Sequence, residues 1–203
     1  MSALVLKLTL ILVLVTAGVI GVIHLQPYDD TPLRALLVPP DACPLDCLLR
    51  IQPGKTTAAQ ALAVLRDHPW VAQVKDNPYQ IAWMWSGAQS DLIDSDLFGR
   101  IRVNPETRIV QDITVQTRIP IGSLWLLLGT PEAGGVSGYE RYLFHTAFYV
   151  DEGMVVLHMV DCPVQQRSYW AMPIQVTFYK PIIKLPVERY TPPTWNTCGW
   201  ALP

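Results

Sequence analysis

The stretch L-F-G-R-I-R-V-N-P-E-T-R-I-V-Q-D-I-T-V-Q, residues 97–116, fixes the character of the fold. Residues 97–103 and 108–116 read as two strands around Asn104-Pro105-Glu106-Thr107, with Pro105 suited to the second position of a type I turn. Ile101, Val103, Ile109, Ile113 and Val115 share one side, while Arg100, Arg102, Asp112 and Thr114 face out. One face buried and one wet is the pattern of an antiparallel sheet.

Working outward, Tyr79, Ile81, Trp83 and Trp85 alternate with Gln80, Ala82, Met84 and Ser86, which predicts a third strand. Upstream, Thr56 and Thr57 are N-cap candidates for a helix in which Ala58, Ala61, Leu62 and Leu65 recur at helical spacing, ending near Asp67. Pro69 starts a short second turn that carries Trp70, Val71 and Val74. Downstream the order repeats in shortened form. Ile119-Pro120-Ile121-Gly122 echoes Ile51-Gln52-Pro53-Gly54, and a helix from Ser123 to Leu128 stops at Gly129. Strands at 141–150 and 154–161 and a last strand at 173–179 follow.

The expected architecture is α+β: an N-terminal transmembrane helix followed by two small helix-plus-three-strand antiparallel units packed together. The expected boundaries are an anchor at 1–25, a linker at 26–42, units at 43–118 and 119–180, and a proline-rich tail at 181–203. The anchor rests on the uncharged run Leu8 to Ile23; counting residues 4–25 reaches about 33 Å, the span of a bilayer core. Lys7 before the run and Asp29 and Asp30 after it place the amino terminus in the cytoplasm and the body outside, with the membrane as a partner through residues 4–25. The competing reading is a signal peptide cleaved at Thr16-Ala17-Gly18, which would make the product a secreted inhibitor.

Cys43, Cys47, Cys162 and Cys198 all follow the apolar run, so disulfides are expected, Cys43 with Cys47 and Cys162 with Cys198. A zinc site is the weaker alternative, because Cys162 and Cys198 do not form a second close pair. The formal charge is −2 without a basic block, which argues against nucleic acid as a partner.

The pattern I-x-P-G-K-T-T with Gly54, Thr56, Ala61 and Leu65, followed by a strand meander, resembles the BamE/SmpA-type domain. Leu128, Gly129 and Pro131 resemble the family's closing L-G-x-P in a second copy. Tandem copies of that arrangement also build the β-lactamase inhibitor protein. The resemblance covers residues 47–179 and implies non-catalytic protein binding through the sheet face or loops. The family's lipid-attachment cysteine is missing here.

No nucleophile, metal-hydrolase or phosphate-loop motif occurs, and no catalytic residue, cofactor or metal ligand is assigned. His145 and His158 would share a face if their hairpin turned on two residues, and could then hold a metal. The sequence Asp151-Glu152-Gly153 favours a three-residue loop with a bulge at Gly153, which puts the two histidines on opposite faces. His68 reads as a surface or cap residue, and Asp91, Asp94 and Asp96 as a solvated acidic loop. Trp195 and Trp200 are candidate partner contacts in the tail. The rival function is a small disulfide-stabilised hydrolase, which requires Asp161, His145 and an acidic loop residue to meet in one cleft.

Overall fold

The structure, a computed structural model, describes residues 2–25, 29–37, 47–139, 142–163, 166–180 and 190. The chain divides into two compact units, Met1–Thr31 and Pro32–Pro203. The first consists of helix α1, Ser2–Leu25, whose described side chains are exposed.

The expected transmembrane helix is not upheld. Among the described residues no helix is long and apolar enough to cross a membrane. The anchor over residues 1–25 and the single-pass architecture therefore do not stand.

The second unit is built on one sheet of eight antiparallel strands in the order β1-β2-β3-β4-β8-β7-β6-β5. After the short helix α2, Thr31–Leu37, come α3, Ala58–Asp67, and the strands β1, Val71–Asp76, β2, Gln80–Trp85, β3, Gly99–Val103, and β4, Val110–Pro120. Helix α4, Ile121–Leu128, leads to β5, Ala133–Tyr139, β6, Tyr142–Tyr149, and β7, Met154–Asp161. Helix α5, Gln166–Ala171, precedes β8, Pro173–Tyr179.

This corrects the expectation of two packed helix-plus-three-strand units. Each half contributes four strands, and the halves merge edge to edge where β4 pairs with β8. A strand edge left open presents unpaired N–H and C=O groups, and joining the two edges satisfies both. Val71 and Val74, expected on a short turn that starts at Pro69, lie instead in strand β1, which has a bulge between Val71 and Gln73. Strand β5, with three glycines in A-G-G-V-S-G-Y, had no counterpart among the expected strands.

The local chemistry explains the element boundaries. Thr57 caps α3 by a reciprocal pair: its hydroxyl accepts from Gln60 N (3.3 Å) and Gln60 Oε1 accepts from Thr57 N (3.0 Å). Asn104 Oδ1 accepts from the N–H groups of Glu106 and Thr107 (2.9 and 3.0 Å), closing the β3–β4 turn, and Arg108 then adopts a left-handed φ of 56°. On β2, Ile81, Trp83 and Trp85 point into the core, where the two indoles meet edge to face with centroids 5.4 Å apart. Gly99 stands opposite Trp83, and a Cβ there would strike the indole ring.

The core lies on one face of the sheet. Buried residues from β2, β3, β4, β6, β7 and β8 and from α2 to α5 pack there, including Leu37, Leu65, Ile113, Leu124, Val176 and Phe178. The register carries that side across the sheet from Ile81 through Ile101, Ile113, Phe178 and Met154 to Tyr149. Among the described residues of this unit, no buried helix residue lies on the other, open face.

No disulfide has both sulfurs among the described residues, so neither of the two expected bridges is seen there. Cys47 and Cys162 are each disulfide-bonded. Cys43 and Cys198, assigned as their partners, lie outside the described residues.

Candidate functional site: the open face of the sheet

Strand alternation decides what the open face carries. In the first half it presents Lys75 from β1, Met84 from β2, Arg100 and Arg102 from β3, and Asp112 and Thr114 from β4. Met84 is 57% exposed and Phe98, just before β3, is also 57% exposed. In the second half the same face presents Phe144 and Phe148 from β6 and Val155, Leu157 and Met159 from β7, the last 51% exposed.

Two hollows adjoin on this face, one across β3, β4 and β8 and the other over β1 and β2. One of about 280 Å³ is lined by Arg100, Arg102, Asp112, Thr114, Gln175 and Thr177 together with Gln80. The other, about 290 Å³, is lined by Gln80, Ala82, Met84, Phe98 and Lys75, among others. Gln80 is common to both.

In the polar hollow Arg102 Nε donates to Asp112 Oδ2 (2.6 Å), and its Nη2 pairs with the same oxygen. Asp112 was expected to face solvent. It does lie on the open face, yet it is buried, because β8 pairs beside it and Arg102 lies against it. Burial raises the Asp112 carboxyl above the usual carboxylate range, and Arg102 and then Arg100 oppose that rise. The floor is a row of like pairs across the β4–β8 seam. Thr114 and Thr177 hydroxyls meet at 3.1 Å, and Gln116 Nε2 donates to Gln175 Oε1 (2.6 Å).

On the core face His145 and His158 are direct cross-strand partners. Their Nδ1 atoms are 3.3 Å apart, and the Tyr169 hydroxyl from α5 lies 3.0 Å from His145 Nδ1. The bulged register, which separated the histidines, is thus corrected: Tyr149 pairs with Met154, and the turn spans 150–153. Both imidazoles are buried, at 1% and 2% exposure, and neither Nε2 atom has a hydrogen-bond partner. Burial holds both well below the usual histidine range, His145 at about 4, and His145 itself lowers His158 further. At neutral pH this is an uncharged ring cluster. Among the described residues no group of three or more His, Cys, Asp or Glu side chains could hold a metal.

The remaining candidates are dispersed. Asp161 is exposed on the open face at the end of β7, whereas His145 is buried on the core face, so the hydrolase cluster does not assemble. Asp94 and Asp96 are engaged by Arg118 at 3.5 and 4.0 Å, and Asp91 lies in the same connecting loop. His68 follows α3 as its C-cap residue, and its Nδ1 accepts from Trp70 N (3.2 Å). Trp195 and Trp200 lie outside the described residues. The outward alternation of Arg100, Arg102, Asp112 and Thr114 is the signal in the sequence that bears on this site, although no site was assigned from it; the part played by Gln175 and Thr177 depends on the β4–β8 pairing.

Comparison with known proteins gives no match, whether to a family model, a curated protein or a solved structure.

Proposed function

We propose that this chain is a non-catalytic protein-binding module whose partner lies on the open face of the sheet. The observation that carries the reading is an eight-stranded face with exposed Met84, Phe98 and Met159 beside a charged hollow, while the described helices with core residues pack on the opposite side. Exposed apolar side chains next to unneutralised charge make a surface suited to association rather than to chemistry. The resemblance to BamE/SmpA-type domains implies the same use of a sheet face.

Site-specific photo-crosslinking in the native host tests this. A benzoylphenylalanine at Met84 or Met159 is expected to give one discrete protein adduct, while the same group at exposed Ala59 on α3 gives none. Equal labelling from all three positions, or no adduct from the open face, would refute the reading.

A further inference from the structure

We propose that the polar hollow over β3, β4 and β8 receives an acidic side chain of a protein partner, with an apolar neighbour of that side chain seated in the adjoining hollow. This rests on the protein-binding reading above and names the chemistry of the partner.

The inventory of donors and acceptors carries the inference. Arg100 is exposed and forms no ion pair among the described residues. Arg102 commits Nε and Nη2 to Asp112, which leaves the Nη1 edge of its guanidinium available. The Thr114–Thr177 contact uses one of two hydroxyl protons and leaves the other to donate. Gln175 receives the Gln116 amide on its oxygen, which turns its own NH₂ into a further donor. The one carboxylate lining the hollow, Asp112, is already occupied by Arg102.

The hollow is therefore rich in donors, and its two arginines outnumber its single acid. Lys75 in the neighbouring hollow adds a further positive charge. A carboxylate accepts hydrogen bonds without donating any, and its pairing with a guanidinium is among the stronger charge-assisted contacts. At about 280 Å³ the space sits at the lower end of small-molecule sites, a fit for one side chain rather than a cofactor. Beyond Gln80 the lining changes to Ala82, Met84 and Phe98, which places an apolar contact next to the charged one. A nucleic acid fits less well, because among the described residues only this one short stretch of the face is basic and the whole chain carries a net charge of −2.

Three peptides of equal length decide the matter when titrated into ¹⁵N-labelled full chain: one with Glu beside Phe, one with that Glu replaced by Gln, and one with the Phe replaced by Ser. The Glu-Phe peptide is expected to shift amides around residues 100–102, 112–114 and 175–177. Its affinity should fall about tenfold with the Gln peptide or in Arg100→Glu, and less with the Ser peptide. Arg100→Glu should leave the amides away from the hollow unchanged, since Arg100 is exposed and its charge bears on Asp112 beside it. Equal binding of the Glu and Gln peptides would overturn the proposal. So would inorganic phosphate matching the Glu-Phe peptide at the same amides, since the hollow would then be a general anion site. A crosslink at Met84 that survives Arg100→Glu would remove the acidic assignment alone. If none of the peptides shifts an open-face amide and no crosslink forms, both readings fail.

Discussion

The two halves of the sheet distribute polarity in opposite ways. Strands β1 to β4 put tryptophan and aliphatic side chains inside, with Trp83, Trp85, Ile81 and Ile101 buried, and set Lys75, Arg100 and Arg102 outside. Strands β5 to β8 bury two histidines against Tyr169 and turn Phe144, Phe148, Val155, Leu157 and Met159 outward. An alternating strand pattern says which residues share a face, but not which face meets the helices. In β6 and β7 the side carrying polar rings goes in, because Tyr169 on α5 offers His145 a partner there. The first half should therefore dominate stability, and the second should set its dependence on pH.

The largest effect that tests this contrast is Trp83→Ala. Deleting a fully buried indole leaves a cavity, and the expected loss is about 3–5 kcal/mol in chemical denaturation. Replacing both histidines by leucine should instead be close to neutral at pH 7.5. The substitution removes two ring nitrogens without partners along with the paired ones, and the buried Tyr169 hydroxyl, which loses His145, keeps its hydrogen bond with Tyr190. A loss from the double leucine variant as large as that from Trp83→Ala would invert the comparison.

The pH experiment sharpens it. Both histidines have folded-state pKa values below the ordinary 6.5, lowered by burial. Their contribution is complete above pH 6.5, where folded and unfolded forms are both neutral. It is lost as pH falls, because the unfolded chain takes up protons that the folded chain refuses. Each histidine should cost up to about 1.4 kcal/mol per pH unit between about 6.5 and about 4. The double leucine variant should flatten most of that slope, and His68, also lowered by partial burial and by Arg50, accounts for a residue of it. Hydrogen exchange at pH 5 should show β6 and β7 losing protection before β2 and β3. An unchanged slope in the double variant would mean that the buried pair does not control acid stability.

A smaller effect probes the start of the first half. Thr57→Ala removes the side-chain acceptor that caps α3 and should cost about 1 kcal/mol, while Thr57→Ser restores it. That cap was readable in the sequence, as were the limits of α3 and the alternation of β2, β3 and β4. These are local signals: a hydroxyl before a periodic run, or branched and aromatic residues at every second place. The edge strands were not readable. Residues 71–76 follow a proline suited to begin a helical turn, and they are a strand only because β2 pairs with them. Strand β5 is rich in glycine and takes its conformation from β6. The β6–β7 register failed for a tertiary reason as well. Gly153 does adopt a positive φ of 61°, as a bulge residue would, but Tyr179 N of β8 donates to Gly153 O (2.9 Å) and holds the turn from outside the hairpin. For the site, the outward arginines were legible, whereas the Thr177 and Gln175 donors come from a strand about 60 residues beyond β4 that no local pattern links to it.

The seam between the halves supplies the smallest effect. If β4 and β8 bind the sheet into one cooperative body, the Thr114–Thr177 contact should show coupling in a double-mutant cycle of Thr114→Val and Thr177→Val. Each single variant strands a half-buried hydroxyl against a methyl group, whereas the double variant strands neither. The expected coupling is about 0.5–1 kcal/mol, with the double variant less destabilised than the sum of the singles. Neighbouring contacts keep the seam closed during the measurement: Gln116 holds Gln175, and the Thr117 hydroxyl donates to the buried Ile174 carbonyl at 2.7 Å. A measured coupling near zero, with two separate unfolding transitions, would show that the halves fold as neighbours rather than as one sheet. The contrast between them would then describe two modules, each needing its own stability, instead of a division of labour within one.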